Sequence, residues 1–298
     1  MSAIFVIGSS NTDMVIRSDK LPTPGETILG GEFLMTAGGK GANQAVAAAK
    51  LGGKVTFACK VGDDIFGRQA LQGFQQAGIN TGFVLTDPVY PSGVALILVD
   101  GKGENSIAVA PGANGALNIA DLEKVIEQIK KDDIVLIQLE IPIPTVAYAI
   151  KRCHDKGARV ILNPAPANLL DDGLFRFIDI VTPNETEAEL LTGIKVTGLQ
   201  SATEAALILQ SKGIANVIIT MGPKGAYLHN NSLKMMVPSI AVIAVDSTAA
   251  GDVFNGALAV ALTENQDMEQ AVLFACRAAA VSVTRMGAQA SAPLRHEL

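Results

Sequence analysis

Short runs of apolar residues alternate along the chain with longer amphipathic segments. Each run is continuous rather than alternating with polar residues, which is typical of parallel strands buried on both faces of a sheet. The predicted strands are residues 3–7, 55–61, 134–139, 160–162, 177–181 and 217–220. Between them, apolar residues recur at helical spacing, as Leu122, Val125 and Ile129 do in residues 121–130. This alternation predicts an α/β fold with a mainly parallel central sheet, and 298 residues still allow a single domain.

Two stretches interrupt the alternation, residues 14–36 and residues 91–110. Both contain extended segments and little helical pattern, and Asp100-Gly101 in the second is a strong hairpin signal. We interpret them as a small antiparallel sheet inserted into the main domain. The apolar face of such a sheet has to be covered, either by closing over a ligand or by a partner subunit.

Charge and cysteine content exclude several classes of function. The formal net charge is −6, and no basic run is interleaved with aromatic residues, so a surface for nucleic acid or an anionic membrane is not expected. No apolar run is long enough for a membrane span, and no signal peptide is recognised at the start. The three cysteines form no CxxC pair and no metal spacing with the histidines, so we expect free thiols in the cytoplasm.

The turn at residues 246–256 is the strongest candidate for chemistry. An apolar run at residues 240–245 predicts a buried strand that leads into small residues, and an apolar helical segment follows at 253–262. A strand that turns directly into a helix exposes backbone N–H groups with the helix dipole behind them, so the turn is a candidate anion site. Asp252 would suit a general base beside the anion. Alternatively, Asp252 only caps the helix and Gly251 only turns the chain.

Further polar residues follow predicted strands, where ligands bind in open parallel sheets. Asn11 and Asp13 suit sugar hydroxyls, although both residue types also form ordinary turns. Glu140 is either a site acid or the polar end of a strand. Lys40 lies in a glycine-rich loop that is neither a Walker loop nor a dinucleotide fingerprint, and it is either a ligand group or a solvated cation.

A second group of candidates points to a nucleotide. Asn184 and Glu187 would share a face on a first helical turn, where they could hold hydrated Mg²⁺ and phosphates or simply form a helix cap. The loop at residues 221–225 follows the strand at 217–220 and is placed to pass a nucleotide.

Four motifs in one order resemble the ribokinase family of carbohydrate kinases. Residues 38–52 (GGKGANQAVAAAKLG) resemble its first signature and residues 246–256 (DSTAAGDVFNG) its second, with Asn-Pro-Ala-Pro at 163–166 and Thr-Pro-Asn-Glu-Thr-Glu at 182–187 between them. The likeness extends from residue 3 to about residue 295. It implies one domain over residues 1–298, a three-layer α-β-α sandwich, and a small lid formed by residues 14–36 and 91–110.

The resemblance also implies an activity, namely transfer of phosphate from ATP to the 5-hydroxyl of D-ribose. Asp252 would be the general base, and the N–H groups of Ala249, Ala250, Gly251 and Asp252 would stabilise charge on the transferring group. Other implied sugar ligands are Asn11, Asp13, Gly39, Lys40, Gly41, Ala42, Asn43 and Glu140. The implied ATP ligands are Asn184, Glu187, Thr220, Met221, Gly222, Pro223, Lys224, Gly225, Gly251, Asp252 and Cys276.

Two ions and a second subunit are implied as well. Mg²⁺ would accompany ATP, and an activating K⁺ would be held, mostly by main-chain oxygens, at Asp246, Thr248, Ser282, Arg285, Gly287 and Ser291. The lid would also form a homodimer interface. Cys276 departs from the histidine that some family members place against adenine. A kinase for deoxyribose or another small sugar is the alternative, and a non-catalytic sugar-binding protein is a further one.

Overall fold

The computed structural model describes residues 2–298, over which thirteen strands and eight helices form. The strands are β1 (Ile4–Ile7), β2 (Asn11–Arg17), β3 (Glu32–Gly38), β4 (Val55–Gly62), β5 (Asn80–Asp87), β6 (Gly93–Val99), β7 (Asn105–Ala110), β8 (Ile134–Ile137), β9 (Arg159–Leu162), β10 (Ile180–Val181), β11 (Asn216–Thr220), β12 (Ala226–His229) and β13 (Lys234–Val237). The helices are α1 (Lys40–Lys50), α2 (Ile65–Gln76), α3 (Ile119–Gln128), α4 (Ile143–Asp155), α5 (Glu185–Thr192), α6 (Leu199–Ser211), α7 (Ala250–Thr263) and α8 (Met268–Ser282).

Nine strands form one large sheet in the order β13-β12-β11-β10-β9-β8-β1-β4-β5. Neighbouring strands along this order from β11 to β5 pair in parallel, and β12 and β13 add an antiparallel edge. Alternate residues of a strand point to opposite faces, so Ile4 and Val6 of β1 enter one core while Phe5 and Ile7 enter the other. Helices α1, α7 and α8 cover the first core, and α3, α4 and α6 cover the second. The predicted three-layer α/β architecture is confirmed.

The predicted small sheet is also present, in the order β3-β2-β6-β7. It consists of two antiparallel hairpins, β2–β3 and β6–β7, whose inner strands β2 and β6 pair in parallel. Its strands start three residues earlier than predicted, at Asn11, because the loop after β1 passes directly into β2. Large apolar side chains on this sheet are exposed to solvent, namely Ile16, Phe33, Leu34, Met35, Leu96, Ile107 and Val109.

Two local predictions were wrong. Residues 240–245 form no strand, and Ile243 there is 88% exposed. Proline lacks the N–H that a sheet ladder needs, and Pro238 follows the last strand. The chain is next held at Val245 and Asp246, whose N–H groups donate to the carbonyl of Val283 rather than to a strand. Of the strand predicted at 177–181, only β10 (Ile180–Val181) forms, because a 3-10 turn extends as far as Phe177. The first helix starts at Lys40, because the glycine-rich run itself forms its first turn.

None of the helices in residues 2–298 combines the length and the apolar character needed to cross a membrane.

Candidate active site

The candidate site lies where β1 and β8 end and where α1 and α7 begin. Glu140, just beyond β8, joins two of these elements: its Oε2 accepts hydrogen bonds from Ser9 Oγ (2.5 Å) and from the Lys40 N–H (2.9 Å). Glu140 therefore holds the loop after β1 against the first turn of α1. Glu140 is therefore more than the polar, solvated end of a strand.

Close backbone packing places the sugar-binding candidates. Gly39 has φ +87°, and a Cβ there would lie 2.6 Å from the Asn11 N atom. A Cβ at Gly38 would lie 2.1 Å from Asp13 Oδ2, so the Asp13 carboxylate rests directly on the glycine backbone. Asn11 and Asp13 are thereby brought against the glycine-rich turn. The two residues lie at the base of the small sheet, where β2 begins.

Asn114 is a site residue that sequence reasoning missed. It is buried, and its Nδ2 donates to Asn11 Oδ1 (2.8 Å) and to the Ser10 carbonyl (3.0 Å). Its Oδ1 accepts from the Ser10 N–H (2.9 Å). Asn114 thus fixes the orientation of the Asn11 amide. The only available signal was its place in the loop that follows the second hairpin.

Asp252 is 6% exposed, and both of its carboxylate oxygens accept hydrogen bonds. Asn43 Nδ2 donates to Oδ2 (2.9 Å), and Gln44 Nε2 donates to Oδ1 (3.0 Å). Burial raises the pKa of Asp252, and this outweighs the lowering by the Lys40 charge and by the two amide donors. Gln44 was not among the predicted site residues, although it stands in the first motif.

Lys40 is the cation at the centre of an acidic cluster. Burial lowers its pKa, but the nearby charges of Asp252, Glu140, Glu187 and Asp13 outweigh burial and leave the pKa raised. Burial, together with the charges of Glu140 and Asp252, raises the pKa of Asp13 to about 6. Lys40 is therefore a partly buried cation stabilised by the negative charges of the site carboxylates, and not a solvated loop cation.

The N-terminus of α7 is open, as an anion site requires. Ala249 precedes the helix with φ 60°, and no side chain caps the helix. Within residues 2–298, the N–H groups of Gly251 and Asp252 have no protein acceptor. A Cβ on Gly251 would meet no atom within 4 Å, so open space lies in front of this turn. The Asp252 side chain points to α1 instead of capping its own helix.

Asn184 and Glu187 form a capping box at the start of α5. The Glu187 N–H donates to Asn184 Oδ1 (2.8 Å), and the Asn184 N–H donates to Glu187 Oε2 (2.9 Å). Burial is the main cause of the raised pKa of Glu187, which the Lys40 charge partly offsets. The capping alternative is thus observed, and it places a buried carboxylate beside the Lys40 cluster. An isolated bridge from Asn184 to Thr220 brings β11 alongside.

The loop after β11 forms the next part of this edge. Met221 is buried and its N–H donates to the Gly225 carbonyl (2.8 Å), while Lys224 is exposed. Cys276, on α8, is buried with Sγ 4.0 Å from the Val237 carbonyl oxygen. Burial raises the pKa of the Cys276 thiol to about 12, so the thiol is neutral and only weakly polar. Gly222 and Pro223 complete the turn.

The predicted cation residues are only partly brought together. Asp246 Oδ1 accepts from the Thr248 N–H and Oδ2 from the Gly287 N–H, both at 2.9 Å. The Ser282 and Ser291 hydroxyls are buried but donate to carbonyls of their own turns. The Arg285 side chain pairs with Glu297, so only the main-chain oxygen of Arg285 would be available to a cation, and a main-chain oxygen is what was predicted for most of these positions.

Lys50 was also missed by sequence reasoning. Its Nζ donates to the carbonyls of Gln289 (2.8 Å), Ala290 (3.3 Å) and Ala292 (3.1 Å). This side chain from the end of α1 therefore anchors the segment that follows Gly287, next to the Asp246 loop.

Comparison with known proteins decides the family. The profile described as pfkB family carbohydrate kinase matches residues 1–295. The chain belongs to this family. A kinase of the ribokinase type was predicted from the motifs, and the assignment is confirmed.

Three individual proteins illustrate the relationship. This family member is 44% identical to a ribokinase of Haemophilus influenzae, over 98% of this chain and 95% of that protein. It is 42% identical to a deoxyribokinase of Salmonella typhi, over 97% and 95%. A structure of Arabidopsis thaliana ribokinase complexed with ribose and ATP aligns with a TM-score of 0.90 at 33% identity, covering 99% of this chain and 97% of that one.

Proposed function

We propose that this protein is an ATP-dependent kinase that phosphorylates the 5-hydroxyl of D-ribose, producing D-ribose 5-phosphate and ADP. One observation carries the proposal. A buried carboxylate, Asp252, lies in the first turn of an uncapped helix and is also bonded to the glycine-rich turn that carries the sugar-binding candidates. An anion site and a sugar site thereby meet at one potential base. Relatives named ribokinase, similar over nearly the whole chain, support the same substrate.

In this proposal the sugar lies over the glycine-rich turn. Asn11, Asp13, Glu140 and Asn43 offer acceptors and donors to its hydroxyls, and Lys40 supplies a further donor. Gly39, Gly41 and Ala42 contribute backbone at close range. Within residues 2–298, Asn43 Oδ1 is buried and accepts no hydrogen bond, as a group awaiting a sugar hydroxyl would be. The small sheet, residues 14–36 and 91–110, acts as the lid that closes over the bound sugar.

The chemical step needs a base, an anion hole and alignment of the reacting groups. Asp252 accepts the proton of the sugar's primary hydroxyl as the hydroxyl oxygen attacks phosphorus, and ADP leaves in line. The N–H groups of Gly251 and Asp252, which have no acceptor within residues 2–298, receive the charge on the transferring group together with that of Ala249. The Ala250 N–H donates to the Ser247 carbonyl (3.3 Å) and would have to leave this acceptor to join them. The raised pKa of Asp252 makes it a better proton acceptor than an exposed carboxylate.

The nucleotide is proposed to bind along the loop at residues 221–225. Thr220 and Cys276 flank this edge, and Lys224 is free to meet phosphates from the solvent side. Mg²⁺ would neutralise phosphate charge when bound. Glu187 fits this role because it is a buried carboxylate with Oε1 free of hydrogen bonds, and Asn184 orients it. Within residues 2–298, no group of three or more histidine, cysteine or acidic side chains is arranged to hold a metal ion by itself.

A K⁺ site is proposed beside the anion hole. Asp246 joins the loop containing Thr248 to the turn at Gly287, and main-chain oxygens of Ser282, Arg285 and Ser291 would complete it. The donor set is oxygen only, as K⁺ prefers. K⁺ would raise turnover by ordering the strained turn at Ala249.

A homodimer through the small sheet and a cytoplasmic location complete the proposal. The exposed apolar side chains on this sheet form a surface that a second copy would cover. Cys59, Cys153 and Cys276 are all buried free thiols, which fits a reducing compartment.

A panel of sugars tests the substrate assignment. ADP release would be measured with Mg²⁺ and ATP for D-ribose, 2-deoxy-D-ribose, D-fructose and adenosine, each with K⁺ and with Na⁺. We expect the highest kcat/KM for D-ribose with K⁺, because the Asp13 carboxylate can accept from two adjacent hydroxyls. Preference for 2-deoxy-D-ribose would support the alternative suggested by the deoxyribokinase relative. ADP release with none of these sugars would support a non-catalytic sugar-binding protein.

A further inference from the structure

A network of buried amides lies directly behind Asp252. Gln44 Nε2 donates both to Asp252 Oδ1 and to Asn163 Oδ1, each at 3.0 Å. Gln138 Nε2 donates in turn to Gln44 Oε1 (2.6 Å). Gln44 and Gln138 are fully buried, and Asn163 is nearly so. Both the donors and the acceptor of the Gln44 amide are thus used, which leaves this side chain a single orientation.

The same network returns to the anion site. Asn163 Nδ2 donates to the Thr182 carbonyl (3.4 Å), and Thr182 Oγ1 donates to Asn255 Oδ1 (2.7 Å). Asn255 Nδ2 then donates to the Gly251 carbonyl (2.8 Å). The base carboxylate and the backbone of the anion hole are therefore connected through one chain of buried hydrogen bonds. Such networks rigidify a site when their members are satisfied. Gln44 meets this condition, whereas Gln138 Oε1 has no hydrogen-bond partner within residues 2–298.

Gln44 differs from the charged neighbours of Asp252 because it contacts the carboxylate as a neutral hydrogen-bond donor. Lys40, Glu140, Asp13 and Glu187 face the carboxylate as charges from α1, from the loop after β8, from β2 and from α5. Gln44 is instead a neutral donor to the carboxylate oxygen that Asn43 does not contact. Removing it would leave Asp252 Oδ1 buried without a donor.

We propose that Gln44 is a positioning residue for the phosphoryl-transfer step: by donating to Oδ1, it holds the Asp252 carboxylate in the orientation in which it accepts the hydroxyl proton and favours its ionised form. Gln138 and Asn163 lock the Gln44 amide, and Thr182 and Asn255 extend the same control to the anion hole. This inference rests on the proposed function, because it takes Asp252 as the base.

The test compares Gln44→Met with Gln138→Met, two substitutions that remove a fully buried glutamine amide. Only the first removes a donor to Asp252. For Gln44→Met we expect the acidic limb of the kcat profile to move up by about one to two pH units, as expected for the loss of one hydrogen bond to a carboxylate. The rate should recover at higher pH, and KM for the sugar should change less than about threefold. Gln138→Met should move this limb by less than about half a pH unit.

A second variant and a readout without turnover complete the experiment. Gln44→Glu is isosteric and places a like charge against Asp252, so the limb should move up at least as far. The carboxyl-carbon NMR signal of Asp252, assigned by its loss in Asp252→Asn, should titrate at higher pH in Gln44→Met than in the wild type. An unchanged limb and NMR midpoint in Gln44→Met, or an equal shift in Gln138→Met, would overturn the proposal. If the wild type phosphorylates no sugar, or Asp252→Asn keeps its turnover, the proposed function fails instead, whatever the NMR titration shows.

Discussion

Replacing Asp252 by asparagine removes the base while keeping the shape of the side chain. General-base loss typically lowers turnover by about 10²–10⁴, which corresponds to about 2.7–5.4 kcal/mol of barrier. We expect kcat to fall within this range. Dissociation constants for ribose and ATP should change less than about threefold, because the nucleotide ligands and the other sugar ligands are kept, and an Asn43 amide that turns to face the new asparagine still offers its NH₂ group to a sugar hydroxyl.

The structure shows how the new amide is accommodated. Gln44 Nε2 still donates to the side-chain oxygen of the introduced asparagine, but the new NH₂ group faces the donor of Asn43. Rotating the Asn43 amide by half a turn presents its Oδ1, which has no partner in the wild type. Both hydrogen bonds are then satisfied, so the variant should fold normally.

The same substitution changes the dependence of stability on pH. The folded protein holds the Asp252 proton to a higher pH than the unfolded chain does, because burial raises the pKa. The raised pKa therefore stabilises the folded protein at low pH. This contribution to the free energy of unfolding is lost as pH rises from the unfolded pKa through the folded pKa. It amounts to about 1.36 kcal/mol for each pH unit that separates the two pKa values. The introduced asparagine does not titrate and has no such loss. Urea unfolding should show the variant to be more stable than the wild type at about pH 8, by a margin that shrinks towards about pH 4.

Asp267→Asn is the matched control, since Asp267 is an exposed cap of α8 where Asn caps equally well. It should leave turnover unchanged. Near-normal turnover in Asp252→Asn would refute the assigned base, and a combined loss of ribose and ATP binding would mean that Asp252 is structural.

Three further predictions concern the sugar site and the small sheet. Ribose affinity should fall below about pH 6, by up to about tenfold per pH unit, as Asp13 becomes protonated. Calorimetric titrations with ribose at several pH values check this, because the affinity of Asp13→Asn should show no such dependence on pH. Gly39→Ala should abolish detectable ribose binding, because the new Cβ would lie 2.6 Å from the Asn11 N atom. The control is Gly52→Ala, where φ is +93° but the space around the residue is open. This variant should lose about 1–2 kcal/mol of stability and keep ribose binding. Equal effects of the two alanines on binding would contradict this explanation. Leu96→Glu should convert a dimer to a monomer in sedimentation experiments, since Leu96 is exposed on the small sheet; an unchanged mass would place the interface elsewhere or show that none forms.

The repeating pattern of the chain was enough to predict the layered fold. Buried parallel strands and amphipathic helices have periodicities that a sequence displays directly, so β1, β4, β8 and their helices were recognised. Segments whose structure depends on distant partners were not. Residues 240–245 have the composition of a strand, but no neighbouring strand pairs with them within residues 2–298, and hydrophobicity alone does not reveal this.

The residues of the candidate site were likewise only partly predictable from the sequence. Asp252, Lys40 and Asn43 stand in motifs whose spacing is visible in the sequence. Gln44 and Asn114 act only through contacts with residues about a hundred or more positions away, as Asn114 does with Ser10. A single glutamine in an alanine-rich helix carries no signal of such a contact. Three-dimensional proximity was needed to recognise both.

The central claim is that this site transfers phosphate from ATP to the 5-hydroxyl of ribose. The most direct measurement is an NMR analysis of the product formed from D-ribose, ATP and Mg²⁺, in which the ³¹P signal of a new ester is correlated with sugar protons. The account predicts one ester, coupled to the two C5 protons, that forms about 10²–10⁴ times more slowly with Asp252→Asn. An ester at the anomeric carbon, or ADP and inorganic phosphate as the only new ³¹P signals, would contradict it.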